Sequence, residues 1–281
     1  MTISNKDTNN IIDCKLNKNA PIAFFDSGLG GLTVLQKLRE LLPNEKFIYF
    51  GDTKNVPYGN KTKEELLGFS KNILKFFEEK GCKAVVMACN TTSSTIYEDI
   101  KDSYNFKIYP IVQSVAKILS QYNIERLGVF ATKATVNSGV YEKEIAKYNK
   151  KISVYSQFCP QWVSIVENNE LKNEQSYEII KSDLDKMMTN NPQKIVLGCT
   201  HYPFLLGILS KFQDKDIFVD PAIPFAKFIK DDLIKNNLLS DANIANDEFY
   251  VSSNPQQFYT GAKFIYELKK EPELVIFDEK I

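Results

Sequence analysis

Short apolar runs rich in branched residues alternate with helical patterns along nearly the whole chain, and this alternation is what most limits the fold. Ile22-Ala23-Phe24-Phe25 reads as a strand, and leucines at 32, 35, 38, 41 and 42 mark the helix that Pro43 stops. A strand at Phe47-Ile48-Tyr49-Phe50 is followed by a helix from Thr62, where Glu65 completes a capping box and Gly81 supplies a C-terminal stop. The same pairing predicts strands at 83–88, 107–109, 127–130 and 152–155, with helices over 112–122, 137–149, 161–168 and 174–189. Further on it predicts a strand at 194–198, a helix after Pro203, a strand at 217–219, a helix over 222–237, a strand at 249–251 and a last helix over 255–268. Such alternation demands mainly parallel sheets with helices on their faces, an α/β fold.

Composition narrows the function classes. Lysine plus arginine and aspartate plus glutamate each number 35, so no overall charge bias points to nucleic acid or to an anionic membrane. The apolar stretches fall far short of the ~20 residues a membrane span needs, and the polar, Asn/Lys-rich stretch 1–20 reads as a mobile tail, neither anchor nor signal peptide. Five cysteines, at 14, 82, 89, 159 and 199, form an odd set without C-x-x-C spacing. That pattern favours free thiols in a reducing compartment over a disulfide framework or a zinc site.

Two of the thiols share one local frame. Cys89 closes the run Lys83-Ala84-Val85-Val86-Met87-Ala88, and Cys199 closes Lys194-Ile195-Val196-Leu197-Gly198. Small polar residues follow each, Asn90-Thr91-Thr92-Ser93-Ser94 and Thr200. Both thiols should therefore leave a strand at its carboxyl end, where open α/β sheets bind ligands, and a thiol at a helix start should ionise easily. His201, the single histidine, lies two residues beyond Cys199, where an imidazole could exchange a proton with the thiol. Cys82, Cys159 and Cys14 have no such company and read as small hydrophobes or incidental thiols.

Other motifs are open to two readings. Asp26-Ser27-Gly28-Leu29-Gly30-Gly31 joins a strand to a helix, and its glycines would bring backbone N–H groups to an anion. It is no dinucleotide fingerprint, because that pattern needs glycine where Thr33 stands. Asp26 is either a helix cap or a catalytic group. The Val56-Pro57-Tyr58-Gly59 loop, the hydroxyls Thr132 and Thr135, and Glu167 near Trp162 are weaker candidates for a ligand site.

Taken in order from about residue 21 to the C-terminus, Asp26-Ser27-Gly28-Leu29-Gly30-Gly31, Pro57-Tyr58-Gly59, Ala88-Cys89-Asn90-Thr91 and Gly198-Cys199-Thr200-His201-Tyr202-Pro203 resemble the glutamate racemases, the cofactor-independent branch of the aspartate/glutamate racemase superfamily. The cysteine pair marks the superfamily; the Cys-Thr-His-Tyr-Pro run and the Asp-Ser-Gly opening are characteristic of the glutamate branch.

The resemblance implies two similar open-sheet α/β domains with the active site in the cleft between them, one built from 21–111 with 225–281 and the other from 112–224. It implies that Cys89 and Cys199 are the two bases, assisted by Asp26 and His201 respectively. Asp26, Ser27, Pro57, Tyr58, Gly59, Asn90, Thr91, Thr132, Thr135, Glu167, Thr200 and His201 would bind substrate. No pyridoxal phosphate or metal is implied. The implied setting is a cytoplasmic homodimer supplying D-glutamate for peptidoglycan and cell shape. Two rivals share some of these residues. A cysteine hydrolase using Cys89 with His201 would tolerate loss of Cys199, and a non-catalytic binding protein would hold glutamate without exchanging its α-proton. A sister racemase acting on aspartate is disfavoured by Thr200-His201-Tyr202-Pro203.

Overall fold

A computed structural model describes residues 17–242 and 246–277. Most of the expected tail, and Cys14 with it, lies outside the described residues.

The elements in chain order are β1 (Ile22–Asp26), α1 (Leu32–Leu41), β2 (Phe47–Gly51), α2 (Lys63–Glu79), β3 (Ala84–Met87), α3 (Asn90–Ile100), β4 (Lys107–Pro110) and α4 (Ile111–Leu119). They continue as β5 (Arg126–Ala131), α5 (Lys133–Ser138), α6 (Val140–Tyr148), β6 (Ser153–Phe158), α7 (Trp162–Glu167), α8 (Glu174–Met188), β7 (Lys194–Gly198), α9 (Leu206–Leu209) and β8 (Phe218–Val219). Last come α10 (Ala222–Lys235), β9 (Glu248–Val251), α11 (Pro255–Ala262) and β10 (Glu273–Leu274).

Two sheets result, one in the order β10-β9-β2-β1-β3-β4 and one in the order β6-β5-β7-β8. The described pairings are parallel in both. Every residue of β1 is buried, because a parallel strand is covered on both faces and its apolar run need not alternate with polar residues. Its side chains still alternate in direction: Ile22 and Phe24 enter one hydrophobic cluster, Ala23 and Phe25 another. The first cluster also takes Leu127 and Val129 of β5, Val196 of β7 and the inner faces of α1, α4, α6 and α10, so one apolar core joins the two sheets.

Topology places the site. β1 and β3 are neighbours although β2 intervenes in sequence, so the chain reverses its direction of travel between them; β5 and β7 flank the same kind of reversal in the second sheet. Loops on either side of such a switch diverge and leave a crevice at the carboxyl ends of the strands. Asp26 ends β1, Cys89 follows β3, Thr132 follows β5 and Cys199 follows β7.

Several expected elements differ. The helix expected over 137–149 is two, because Gly139 adopts φ 59° and breaks α5 from α6. The helix expected after Pro203 is a 3-10 turn at Tyr202–Leu205 followed by the single turn α9. The last helix ends at Ala262, not 268. The two-residue β10 carries too few positions for a period to be read. By contrast, α2 starts on the expected capping box between Thr62 and Glu65, and Gly81 beyond its end takes φ 66°.

Candidate active site

The first strand-to-helix turn is built around Asp26. Its carboxylate is fully buried, accepts the N–H of Gly28 at 3.0 Å and is approached by the hydroxyl of Thr200 at 3.4 Å. Asp26 is not the N-cap of α1; that position is Gly31, which makes no side-chain cap bond. Burial raises the pKa of Asp26, against the opposing pull of His201, the Gly28 and Gly31 N–H groups and Thr200. The glycines have a steric purpose beyond the expected anion approach. A Cβ on Gly31 would come within 2.6 Å of the Asp26 side chain, and one on Gly30 within 2.3 Å of Thr200 Oγ1 and 3.2 Å of His201 Nδ1. The turn is glycine-rich because the two sheets meet across it.

Cys89 is the N-cap residue of α3 and is 5% exposed. The expectation of an easily ionised thiol fails here. Burial pushes the Cys89 thiol up to about 12, the charge of Asp26 adds to the rise, and the bond from Thr92 offsets only part of it. Sequence can place a thiol at a helix start but cannot show the desolvation that overrides the helix end.

Cys199 is 7% exposed and opens onto the 3-10 turn that begins at Tyr202, so it has no helix N-terminus of its own. It has His201 instead, with Sγ 3.8 Å from Nδ1. The other ring nitrogen, Nε2, lies 3.2 Å from Glu167 Oε1. Burial disfavours the imidazolium, but the hydrogen bonds and charge interactions with Cys199 and Glu167 outweigh it and raise the His201 pKa to about 10. Glu167 thus faces the histidine and also lines the cavity at the cleft.

The remaining sequence candidates gather at the junction. Thr91 and Thr132 hydroxyls pair at 3.0 Å across the two units; Thr132 also donates to Thr135 at 3.1 Å, which Ser94 reaches at 3.2 Å. Gly59 packs where a Cβ would meet Thr132 at 3.1 Å. Pro57, after a cis bond from Val56, leads into the short turn Tyr58–Asn60. Tyr58 is buried, stacks on Phe69 and donates its hydroxyl to Asp52, so its ring supports the loop from behind. Asp52 also accepts from Asn55 and from Ser252 at 2.6 Å, fixing the loop to the end of β9. Ser27 follows Asp26 directly and is buried.

The cleft mouth is a cavity of about 460 Å³ reaching from Gly28, Gly30, Glu167 and His201 to Phe204 and Phe258. Sequence reasoning missed Asp52 as the loop's anchor, and Tyr141, whose hydroxyl lies 3.3 Å from Asn90 Oδ1. A buried carboxylate collecting several donors is visible only once the chain is folded. Cys82 and Cys159 lie in the apolar clusters on the outer faces of the two sheets, as small buried side chains.

Residues 29–222 match the family described as Asp/Glu/Hydantoin racemase. The chain belongs to this family. It is by that membership a racemase, an isomerase. The chain is 40% identical over 262 residues to a glutamate racemase of Thermoanaerobacter sp. (strain X514), covering 92% of this chain and 98% of that one. The fold is also that of a glutamate racemase from Francisella tularensis subsp. tularensis SCHU S4 solved in complex with D-glutamate, with TM-score 0.85, 32% identity, and coverage of 93% and 98%. A glutamate racemase from Thermus thermophilus in complex with beta-chloro-D-alanine superimposes with TM-score 0.81 at 31% identity, covering 92% and 98%. No helix among the described residues is long and apolar enough to cross a membrane.

Proposed function

We propose that this racemase interconverts L- and D-glutamate by a two-base exchange of the α-proton between Cys89 and Cys199. The observation that supports the reading is that each thiol sits at the switch point of its own sheet beside a titratable group, with the charge of Asp26 acting on Cys89 and His201 Nδ1 3.8 Å from Cys199. The relatives named as glutamate racemases supply the substrate.

The mechanism follows from the electrostatics. A Cα–H beside a carboxylate is a very weak acid, so the base must act inside a site that stabilises the carbanion-like transition state, and inversion requires a second acid on the opposite face. Cys199 and His201 form the polar pair: the imidazole takes the thiol proton, and Glu167 steadies the resulting imidazolium. Cys89 and Asp26 form the low-charge pair, since burial raises both and the charge of Asp26 disfavours a thiolate at Cys89. One proton shared between them keeps Cys89 a competent donor, and passing it to Asp26 makes Cys89 a base. In one direction the Cys89 thiolate removes the α-proton while Cys199 delivers its own to the other face; in reverse the roles exchange.

Substrate carboxylates are held by the Ser27, Asn90, Thr91 and Thr200 side chains and by the N–H groups opening α3. Thr132 and Thr135 hold Thr91 in register, and Pro57, Tyr58 and Gly59 set the loop that walls the pocket. We take 21–111 with 225–281 and 112–224 as the two domains that face each other across the cleft. The product role is D-glutamate for peptidoglycan, made by a homodimer in the cytoplasm.

The test is to incubate the purified protein, with no cofactor added, with D-glutamate, L-glutamate and both aspartates, and to follow enantiomer composition by chiral chromatography. Glutamate is expected to approach a 1:1 mixture from either side while aspartate does not. Inversion of aspartate alone, or of neither, would overturn the assignment.

A further inference from the structure

Asn90 follows Cys89 directly, opens α3 and is 2% exposed. Its amide is only half satisfied. Oδ1 faces the hydroxyl of Tyr141, carried by α6 on the other unit, at 3.3 Å, whereas Nδ2 is buried with no hydrogen-bond partner in the protein. A buried donor left unpaired costs about 1–3 kcal/mol, and a site that keeps such a group supplies its partner with the ligand. The acceptor that suits it is a carboxylate, since the free N–H groups of the helix start beside it are donors as well.

Tyr141 explains which way the amide faces. A tyrosine hydroxyl has a single hydrogen to give, and giving it to Oδ1 leaves Nδ2 as the end available to a ligand. The ring is 1% exposed and packs beside Gly198, where a Cβ would lie 3.5 Å from it, so the hydroxyl is aimed from the residue before Cys199 toward the residue after Cys89. Burial, aided by the charge of Cys199, keeps the hydroxyl protonated and therefore a donor. At 3.3 Å the contact is long for a hydroxyl donor.

We propose that Tyr141 is a positioning residue: by bonding Asn90 Oδ1 from the other unit it presents Asn90 Nδ2 to the substrate's α-carboxylate. This rests on the amino-acid racemase reading above and adds to it a residue outside the motifs that carry the family resemblance.

The test is a double-mutant cycle with Tyr141→Phe, Asn90→Ala and the pair together. It is read as kcat and KM for both glutamate enantiomers and as calorimetric affinity for D-glutamate, with thermal melting to establish that each variant folds. Tyr141→Phe is expected to lower kcat/KM about tenfold, mainly through KM, yet to cost less than about twofold when Asn90 is already alanine. Asn90→Ser serves for the cycle if the alanine variant does not fold. An equal loss in both backgrounds, or no loss on Tyr141→Phe, would overturn the proposal. Failure of the glutamate reading shows separately, as absence of inversion by the unsubstituted protein, and the affinity cycle still decides the role of Tyr141.

Discussion

His201 stands between Cys199 and Glu167, with Nδ1 3.8 Å from the thiol and Nε2 3.2 Å from the carboxylate. Its folded pKa, about 10, is set by those two partners against the cost of burial. Replacing Glu167 by Gln removes one of them, so the imidazolium is lost at lower pH. The basic limb of the kcat/KM profile is expected to move toward neutrality. Stability follows the same sign. A folded pKa above the unfolded value of 6.5 means the proton's contribution is fully present below that pH and is lost as pH rises through about 10. A profile unchanged by Glu167→Gln would show that Glu167 does not support the histidine.

Asp26→Asn keeps the shape of a group that accepts the Gly28 N–H but removes the proton acceptor felt by Cys89. A fall of about 10²–10⁴ in kcat/KM is expected, with a normal melting curve. Because the two enantiomers have equal free energy in water, kcat/KM must fall equally in both directions, and any asymmetry belongs to kcat and KM separately. Cys89→Ser and Cys199→Ser should each abolish turnover. Cys82→Ser and Cys159→Ser should retain it. A Cys199→Ser variant with hydrolytic or racemase activity would contradict the paired-thiol mechanism.

Gly30→Ala tests the meeting of the two units. The added methyl would sit 2.3 Å from Thr200 Oγ1, a contact that something must move to relieve. The clash lies across the cleft and outside the sheets, so activity is expected to drop by about 100-fold or more while melting shifts little, a misplacement effect. Equal kinetics in the variant would show that the units are not required to come this close.

Much of this arrangement was legible because its signals are local. A capping box at Thr62 and Glu65 and a strand ending in Cys are patterns of adjacent residues, and both lie where expected. What escaped depends on partners distant in sequence. The break at Gly139 follows from its positive φ, and without it α6 would not direct Tyr141 toward Asn90, 51 positions away. The raised thiol at Cys89 follows from burial against Asp26, which no spacing encodes. The shared frame of Cys89 and Cys199 suggested a site built twice, yet the two ends differ: one thiol caps a helix beside a carboxylate, the other leads into a 3-10 turn beside an imidazole.

Far from the cleft, Lys83 and Glu45 form a buried ion pair at 2.6 Å with side chains 0% and 2% exposed. Lys83 also donates to the carbonyls of Lys18 and Leu238, and Glu45 accepts the N–H of Ser240, so the contacts of the pair tie four separate chain segments together. Glu45→Gln leaves the ammonium buried without its counter-charge and is expected to cost about 3–5 kcal/mol by denaturant unfolding. A loss below about 1 kcal/mol would mean that the ammonium is reached by water in solution.

The most direct measurement of the two-thiol account is isotopic. D-Glutamate is incubated with the protein in heavy water, and deuterium at Cα is measured separately in recovered D-glutamate and in newly formed L-glutamate during the first few per cent of reaction. Two bases on opposite faces predict L-glutamate fully deuterated and recovered D-glutamate still carrying protium. Deuterium appearing equally in both enantiomers, or protium carried over into L-glutamate, would mean that a single base serves both faces and would contradict the pairing of Cys89 with Cys199.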